Sequence, residues 1–399
     1  MGRYLSLGLL VRILVPATLV AGIVVSAVRL DGHGGLGRDP AFTVLAGATL
    51  GILLQRSRFC FFCMLRELVE ERDARGALGI LAALAVGSIG YLVVMQPWLP
   101  DPSAGRLPPD AHIGPVSWVL VAGGLSFGLG MTLSGSCISA HLYRLGEGST
   151  LSPFALLGAV GGFMLGFASW NWLYIGTLAT APVVWLPAMF GYGGAAMLQG
   201  GLLLGLALLL LLWVRWPATP PAAASAPRPI DLLQRVFVVR WPAWLAGVGV
   251  GMLGFLAYLR TEPLGVTAEL GSRARTLAQE LGWIPHRLPG LDGFAGCATM
   301  VIEALMTPNG VFVLALVAGS LAAGVASGGF RPRAYPWHRY LLAILGGVLM
   351  GWGAMVALGC TVGVLLSGIS AFALSGWVFA VAMTVGVFAS LPMRRFIGA

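Results

Sequence analysis

Apolar stretches long enough to cross a bilayer follow one another along almost the whole of this chain. A membrane-spanning helix needs about 20 mostly apolar residues. Roughly ten such stretches can be read, at residues 13–28, 41–55, 77–95, 116–145, 152–172, 190–214, 241–258, 309–328, 341–368 and 371–391. Hydrophobic residues make up 58% of the chain and charged residues 10%, against about half and a quarter in soluble domains. The expected fold is an all-α polytopic membrane protein, in which no soluble catalytic domain remains to be placed.

Two of these stretches carry the same pattern around a cysteine. They read Gly124-x-x-x-Gly128-x-Gly130-x6-Cys137 and Gly347-x-x-x-Gly351-x-Gly353-x6-Cys360. With 58 glycines among 399 residues the glycine matches alone are weak, but only five cysteines exist and one falls in register in each copy. The chain therefore reads as two related halves: 1–215, a Pro/Ala-rich linker at 216–240, and 241–399. Small residues gather at Leu133–Cys137 and Ala357–Thr361, where helices of about 30 residues exceed the thickness they must cross. A helical break is expected at each, with Ser134, Gly135, Ser136 and Gly359 shaping it. Unpaired backbone groups at that depth are tolerated only if buried in protein or lining a cavity. The plainer alternative is a pair of straight helices whose glycines serve packing.

The net charge of +9 comes entirely from arginine, since the chain has no lysine. The arginines form no stripe of the kind that grips nucleic acid; they gather in connecting segments, as the positive-inside rule describes. Arg3 and Arg12, the run Arg56 to Arg75, Arg215 to Arg240, Arg331 to Arg339, and Arg394 and Arg395 all fall on one side if ten spans leave both termini in the cytoplasm. The first stretch lacks a small-residue cleavage site and is read as a retained span. By this count the Cys137 and Cys360 segments run in opposite directions, an inverted repeat of the kind found in transporters. Residues 259–308 are expected as a long loop on the other side, although they carry Arg260, Arg273, Arg275 and Arg287.

A third cysteine segment, Gln55-Arg56-Ser57-Arg58-Phe59-Cys60-Phe61-Phe62-Cys63, marks a change from apolar helix to an aromatic, arginine-rich run. Ser57-Arg58-Phe59-Cys60, Ser-Gly-Ser-Cys137 and Leu-Gly-Cys360-Thr-Val-Gly together resemble the signature segments of the YeeE/YedE family of bacterial inner-membrane sulfur transporters. The resemblance covers most of the chain after residue 40. It implies import of thiosulfate, or a related sulfur or selenium species, along a central path through Cys60, Cys137 and Cys360, with Arg58 beside it. It also implies a cytoplasmic TusA-like sulfur carrier as partner. Cys63 stands where the family often has a small residue, and Cys297 has no motif around it; a buried free cysteine often only fills space.

Thiols suit this cargo, because a neutral S–H is a weak donor and passage needs binding loose enough to release. The N-termini of broken helices would offer N–H groups to the oxyanion end. No cofactor, metal or nucleic acid is expected, and Cys60-x-x-Cys63 lacks the second pair of a zinc site. Bringing a dianion in against an inside-negative potential costs about 4.6 kcal/mol per 100 mV, and no carboxylate at a span centre points to proton coupling. The competing class is a membrane-embedded thiol–disulfide oxidoreductase using Cys60 and Cys63, although two Phe occupy the interior of that motif.

Overall fold

Every apolar stretch becomes helix in the computed structural model, which describes residues 2–30, 40–214, 237–285, 287–291 and 307–397. The helices are α1 (Gly2–Leu30), α2 (Pro40–Ser57), α3 (Phe61–Glu70), α4 (Arg75–Trp98), α5 (Trp118–Ser134), α6 (Ile138–Gly146), α7 (Ser152–Gly176) and α8 (Leu186–Trp213). They continue with α9 (Ala243–Arg260), α10 (Ala268–Glu280), α11 (Pro308–Ala326), α12 (Trp337–Val356), a π-helix (Thr361–Gly368) and α13 (Leu374–Ile397). Among the described residues, ten segments are long and apolar enough to cross a membrane. Among the described residues there are isolated β-bridges but no strand.

The helices pack by partners far apart in sequence. α2 lies on α11, α4 on α9, α5 on α12 and α13, and α7 on α12, while α1 and α8 add to α11 and α4 from outside. These last two are the least enclosed: 6% of the α1 span and 17% of the α8 span is buried, so both present apolar side chains to lipid.

Close approach explains the glycine pattern. A Cβ at Gly128 would strike the Met383 carbonyl of α13, and one at Gly351 would strike the Ala159 carbonyl of α7. Each Gly-x-x-x-Gly thus seats a neighbouring backbone, as small residues do between membrane helices. Packing and breaking are both present: the glycines before the break bring helices together, and the small residues that follow end the helix.

Among the described residues, α8 is kinked at Gly191 (φ 67°), and three other long spans are broken just before a cysteine. α5 ends at Gly135, whose φ of 80° suits a residue without a Cβ, and α6 begins after Cys137. α12 ends before Leu358 (φ 61°) and Gly359 (φ 155°), and the π-helix begins after Cys360. The second span is also broken, which the sequence reading did not anticipate: α2 ends at Ser57, Arg58 takes φ 54°, and α3 starts after Cys60. In all three a left-handed residue stands two positions before the cysteine. The arginine-rich run beyond Cys60 is therefore largely helix rather than loop. Residues 259–308, expected as a loop, contain helix α10; Cys297 lies outside the described residues, as does most of the linker.

Candidate functional site

Cys60, Cys137 and Cys360 each occupy the extended N-cap of a short helix, and each is buried, at 0%, 0% and 1% exposure. The break that frees the first N–H groups of a helix also fixes the thiol beside them. Cys60 Sγ and Cys137 Sγ are 3.9 Å apart, and Cys137 Sγ is 3.3 Å from Ser139 Oγ. Cys360 belongs to the same buried core, where its sulfur accepts from Val362 N–H at 3.4 Å. The two first-half thiols are thus brought together, whereas Cys360 caps its own helix.

The small residues hold the Cys137 break from within. Ser134 Oγ donates to the Ser136 carbonyl at 3.0 Å and lies 4.0 Å from Met350 Sδ across the interface with α12. Ser136 Oγ donates to the Gly135 carbonyl at 2.7 Å. Cys63, one turn beyond Cys60, accepts from Arg144 Nη2 at 3.3 Å. The described cysteines are free thiols.

Beyond Cys63 lies a cavity of about 820 Å³ whose lining includes Arg56, Arg58, Arg144, Arg240, Arg331 and Arg333. Arginines from the end of α2, the end of the linker, α6 and the loop before α12 meet there, which sequence spacing did not reveal. Local capping explains the meeting. Arg240 Nε donates to the Ser57 carbonyl at 2.8 Å and Trp241 N–H to the Arg56 carbonyl at 2.9 Å, so the linker's end satisfies the C-terminus of α2. On the other side Arg331 N–H donates to the Glu147 carbonyl at 3.0 Å. Glu147, the acidic residue of this lining, accepts from Gln55 Nε2 at 3.3 Å. Burial raises its pKa against the opposing pull of Arg144 and Arg58. A small oxyanion entering this cavity meets an excess of guanidinium groups shaped for its oxygens.

The opposite side of the Cys360 break is tight. Residues 109–116 form a strap across it. Tyr258 Oη donates to the Pro109 carbonyl at 2.9 Å, Gly114 N–H donates to Ser375 Oγ at 3.2 Å, and Val116 N–H donates to the Pro182 carbonyl at 2.9 Å. His112 of this strap and Thr361 of the π-helix were not singled out from the sequence. His112 carries no motif and only the folded chain places it at the break, whereas Thr361 follows Cys360 within the segment Ala357–Thr361 already read as a break.

A family model described as sulphur transport matches residues 56–389. The thiosulfate transporter TsuA of Escherichia coli (strain K12) is 29% identical over 349 residues, covering 86% of this chain and 91% of that protein. TsuA of Spirochaeta thermophila is 27% identical over 355 residues, covering 86% and 95%. The probable transporter YedE of Escherichia coli (strain K12) is 33% identical over 93 residues, 22% of this chain and 23% of that protein.

Proposed function

This chain belongs to the sulphur transport family, and from that footing we propose that it imports thiosulfate or a related sulfur-containing anion across the bacterial inner membrane past Cys60, Cys137 and Cys360. The observation that carries the reading is the contact of Cys60 with Cys137 at the starts of two short helices, one turn from Cys63 and the arginine-lined cavity. The soft terminal sulfur of the anion passes between neutral thiols, while backbone N–H groups and then guanidinium groups receive its oxyanion end.

Two inverted halves fit the packing. Exchanging α1 with α8, α2 with α9, α4 with α11, α5 with α12 and α7 with α13 preserves the main helix pairs: α2–α11 becomes α9–α4, α7–α12 becomes α13–α5, and α5–α12 maps onto itself. Five spans per half make the second half enter from the opposite side. This exchange favours a division between α7 and α8, ahead of the linker. The gathering of arginines in one cavity supports a cytoplasmic placement of that end by the positive-inside rule, and ten spans would then put both termini on that side. A small TusA-like sulfur carrier docking there would consume the cargo and offset the membrane potential. Loss of carrier retention in a pull-down when Arg58, Arg240 and Arg331 are replaced supports docking, and unchanged retention removes it.

The decisive experiment is uptake of sulfane-labelled thiosulfate by cells lacking their own importers. The wild type should accumulate label, and Cys137→Ala or Cys360→Ala should abolish accumulation at equal membrane expression. No uptake by the wild type overturns the assignment of substrate.

A further inference from the structure

We propose that Glu147 is the release residue of the arginine cavity, a built-in carboxylate that competes with the sulfur anion for the same guanidinium groups and limits how tightly they hold it. The proposal rests on the transport reading above and adds the step by which the cargo leaves.

Arginine alone would hold a dianion too well. Six arginines belong to the lining of the cavity, and among the described residues Glu147 is its one acidic member. Bonds from a guanidinium to an oxyanion are roughly twice as strong as neutral hydrogen bonds, whereas passage needs binding weak enough to release. A carboxylate in the same space lowers the affinity without closing the route.

The backbone of Glu147 is fixed while its carboxylate is lightly held. Its N–H donates to the Arg144 carbonyl at 3.1 Å and its own carbonyl accepts from Arg331 N–H at 3.0 Å. The residue is thereby tied to α6 on one side and to the loop before α12 on the other. Gly148 follows with a φ of 80°, and a Cβ there would meet Phe330 and Pro332, so the turn has little freedom. Among the described residues the carboxylate has one hydrogen-bond partner, Gln55 Nε2 at 3.3 Å, and it forms no ion pair. Burial raises its pKa although Arg144 and Arg58 pull the other way, as expected of a charge that its neighbours do not fully satisfy.

A carboxylate close to several arginines yet bonded to none has two places to be. Resting on Gln55, it leaves the guanidinium groups to the cargo. Swung onto them, it takes the cargo's place and sends the anion out through the open end of the cavity.

The test uses sulfane-labelled thiosulfate and the full-length wild type, Glu147→Gln and Glu147→Asp. Equilibrium binding is measured on purified protein in detergent, and the concentration dependence of uptake in whole cells at matched membrane expression. Glutamine keeps the size of the side chain and an acceptor for Gln55, so the charge alone is lost. Without that charge thiosulfate should bind about ten-fold more tightly to Glu147→Gln. Its KM and maximal rate for uptake should fall together, because the cargo is held too long. Glu147→Asp keeps the carboxylate and should stay within about two-fold of the wild type. Affinity and kinetics of Glu147→Gln equal to those of the wild type overturn the proposal and leave the transport reading standing. A lowered maximal rate with KM unchanged or raised also overturns it, by making Glu147 a structural residue of its turn. Absence of uptake by the wild type removes the transport reading and this proposal together.

Discussion

Cys60 Sγ and Cys137 Sγ face each other at 3.9 Å although 77 positions separate them in the chain. The contact exists because two broken helices place their N-caps side by side. It brings together thiols whose segments share a Ser-x-x-Cys spacing, Ser57 to Cys60 and Ser134 to Cys137, and a left-handed residue two positions before the cysteine.

This proximity predicts a reversible lock. Mild oxidation of membranes with copper phenanthroline should join Cys60 to Cys137, since a modest approach of the two sulfurs reaches bonding distance. Uptake should stop and return on treatment with dithiothreitol. Cys137→Ala should abolish the cross-link in a mass-spectrometric peptide map. An oxidised wild type that transports at full rate would remove the pair from the path.

Cys63 should behave differently. Its sulfur accepts from Arg144 at 3.3 Å, and a serine hydroxyl in its place keeps an acceptor there. Cys63→Ser should retain most thiosulfate uptake in the radiolabel assay. An exchange enzyme built on Cys60 and Cys63 would lose all turnover, so the same variant separates the two mechanisms.

Arg58 combines an exposed side chain in the arginine cavity with a φ of 54°. Replacement by glycine should relieve about 1 kcal/mol of left-handed strain while removing a guanidinium from the arginine cavity. Thermal melting in detergent should show equal or higher stability for Arg58→Gly, together with a KM for uptake raised several-fold. Lower stability and unchanged KM would make Arg58 a structural residue.

Glycines divide by what surrounds them. Gly351→Val drives a side chain into the Ala159 carbonyl and should cost at least about 3 kcal/mol, seen as loss of the monodisperse peak in size-exclusion chromatography. At Gly200 of α8 nothing lies within 4 Å, so Gly200→Ala should be neutral or stabilising by up to about 1 kcal/mol from helix propensity.

His112 ties stability to pH. Burial lowers its pKa from 6.5 to about 4, so the unfolded chain takes up a proton that the folded chain refuses. The contribution is fully present above pH 6.5 and is lost as pH falls through 4. It amounts to on the order of 3 kcal/mol across that window. Melting temperatures between pH 7 and pH 4 should fall more steeply for the wild type than for His112→Gln, and parallel curves would contradict the assignment.

Much of this was legible because membrane spans declare themselves locally. Length and apolarity set the ten spans, and the small residues at Leu133–Cys137 and Ala357–Thr361 marked two breaks. The break before Cys60 was not visible, because Gln55 to Cys60 carries no glycine and its left-handed residue is an arginine. The arginine cavity was hidden for another reason. Arg58, Arg144, Arg240 and Arg331 lie on four different segments, and their meeting depends on which loop caps which helix end.

By itself the sequence determined the solvent this chain folds in, the number of its spans, the glycine-seated packing of two of them and the thiols on offer, since each follows from side-chain chemistry within one or two helical turns. Tertiary structure alone decided that Cys60 meets Cys137, that Cys360 caps a separate break under the His112 strap, and that one end opens into a cavity of arginines. Those relations join residues tens to hundreds of positions apart, and their geometry is set by where helices end and which backbones press together.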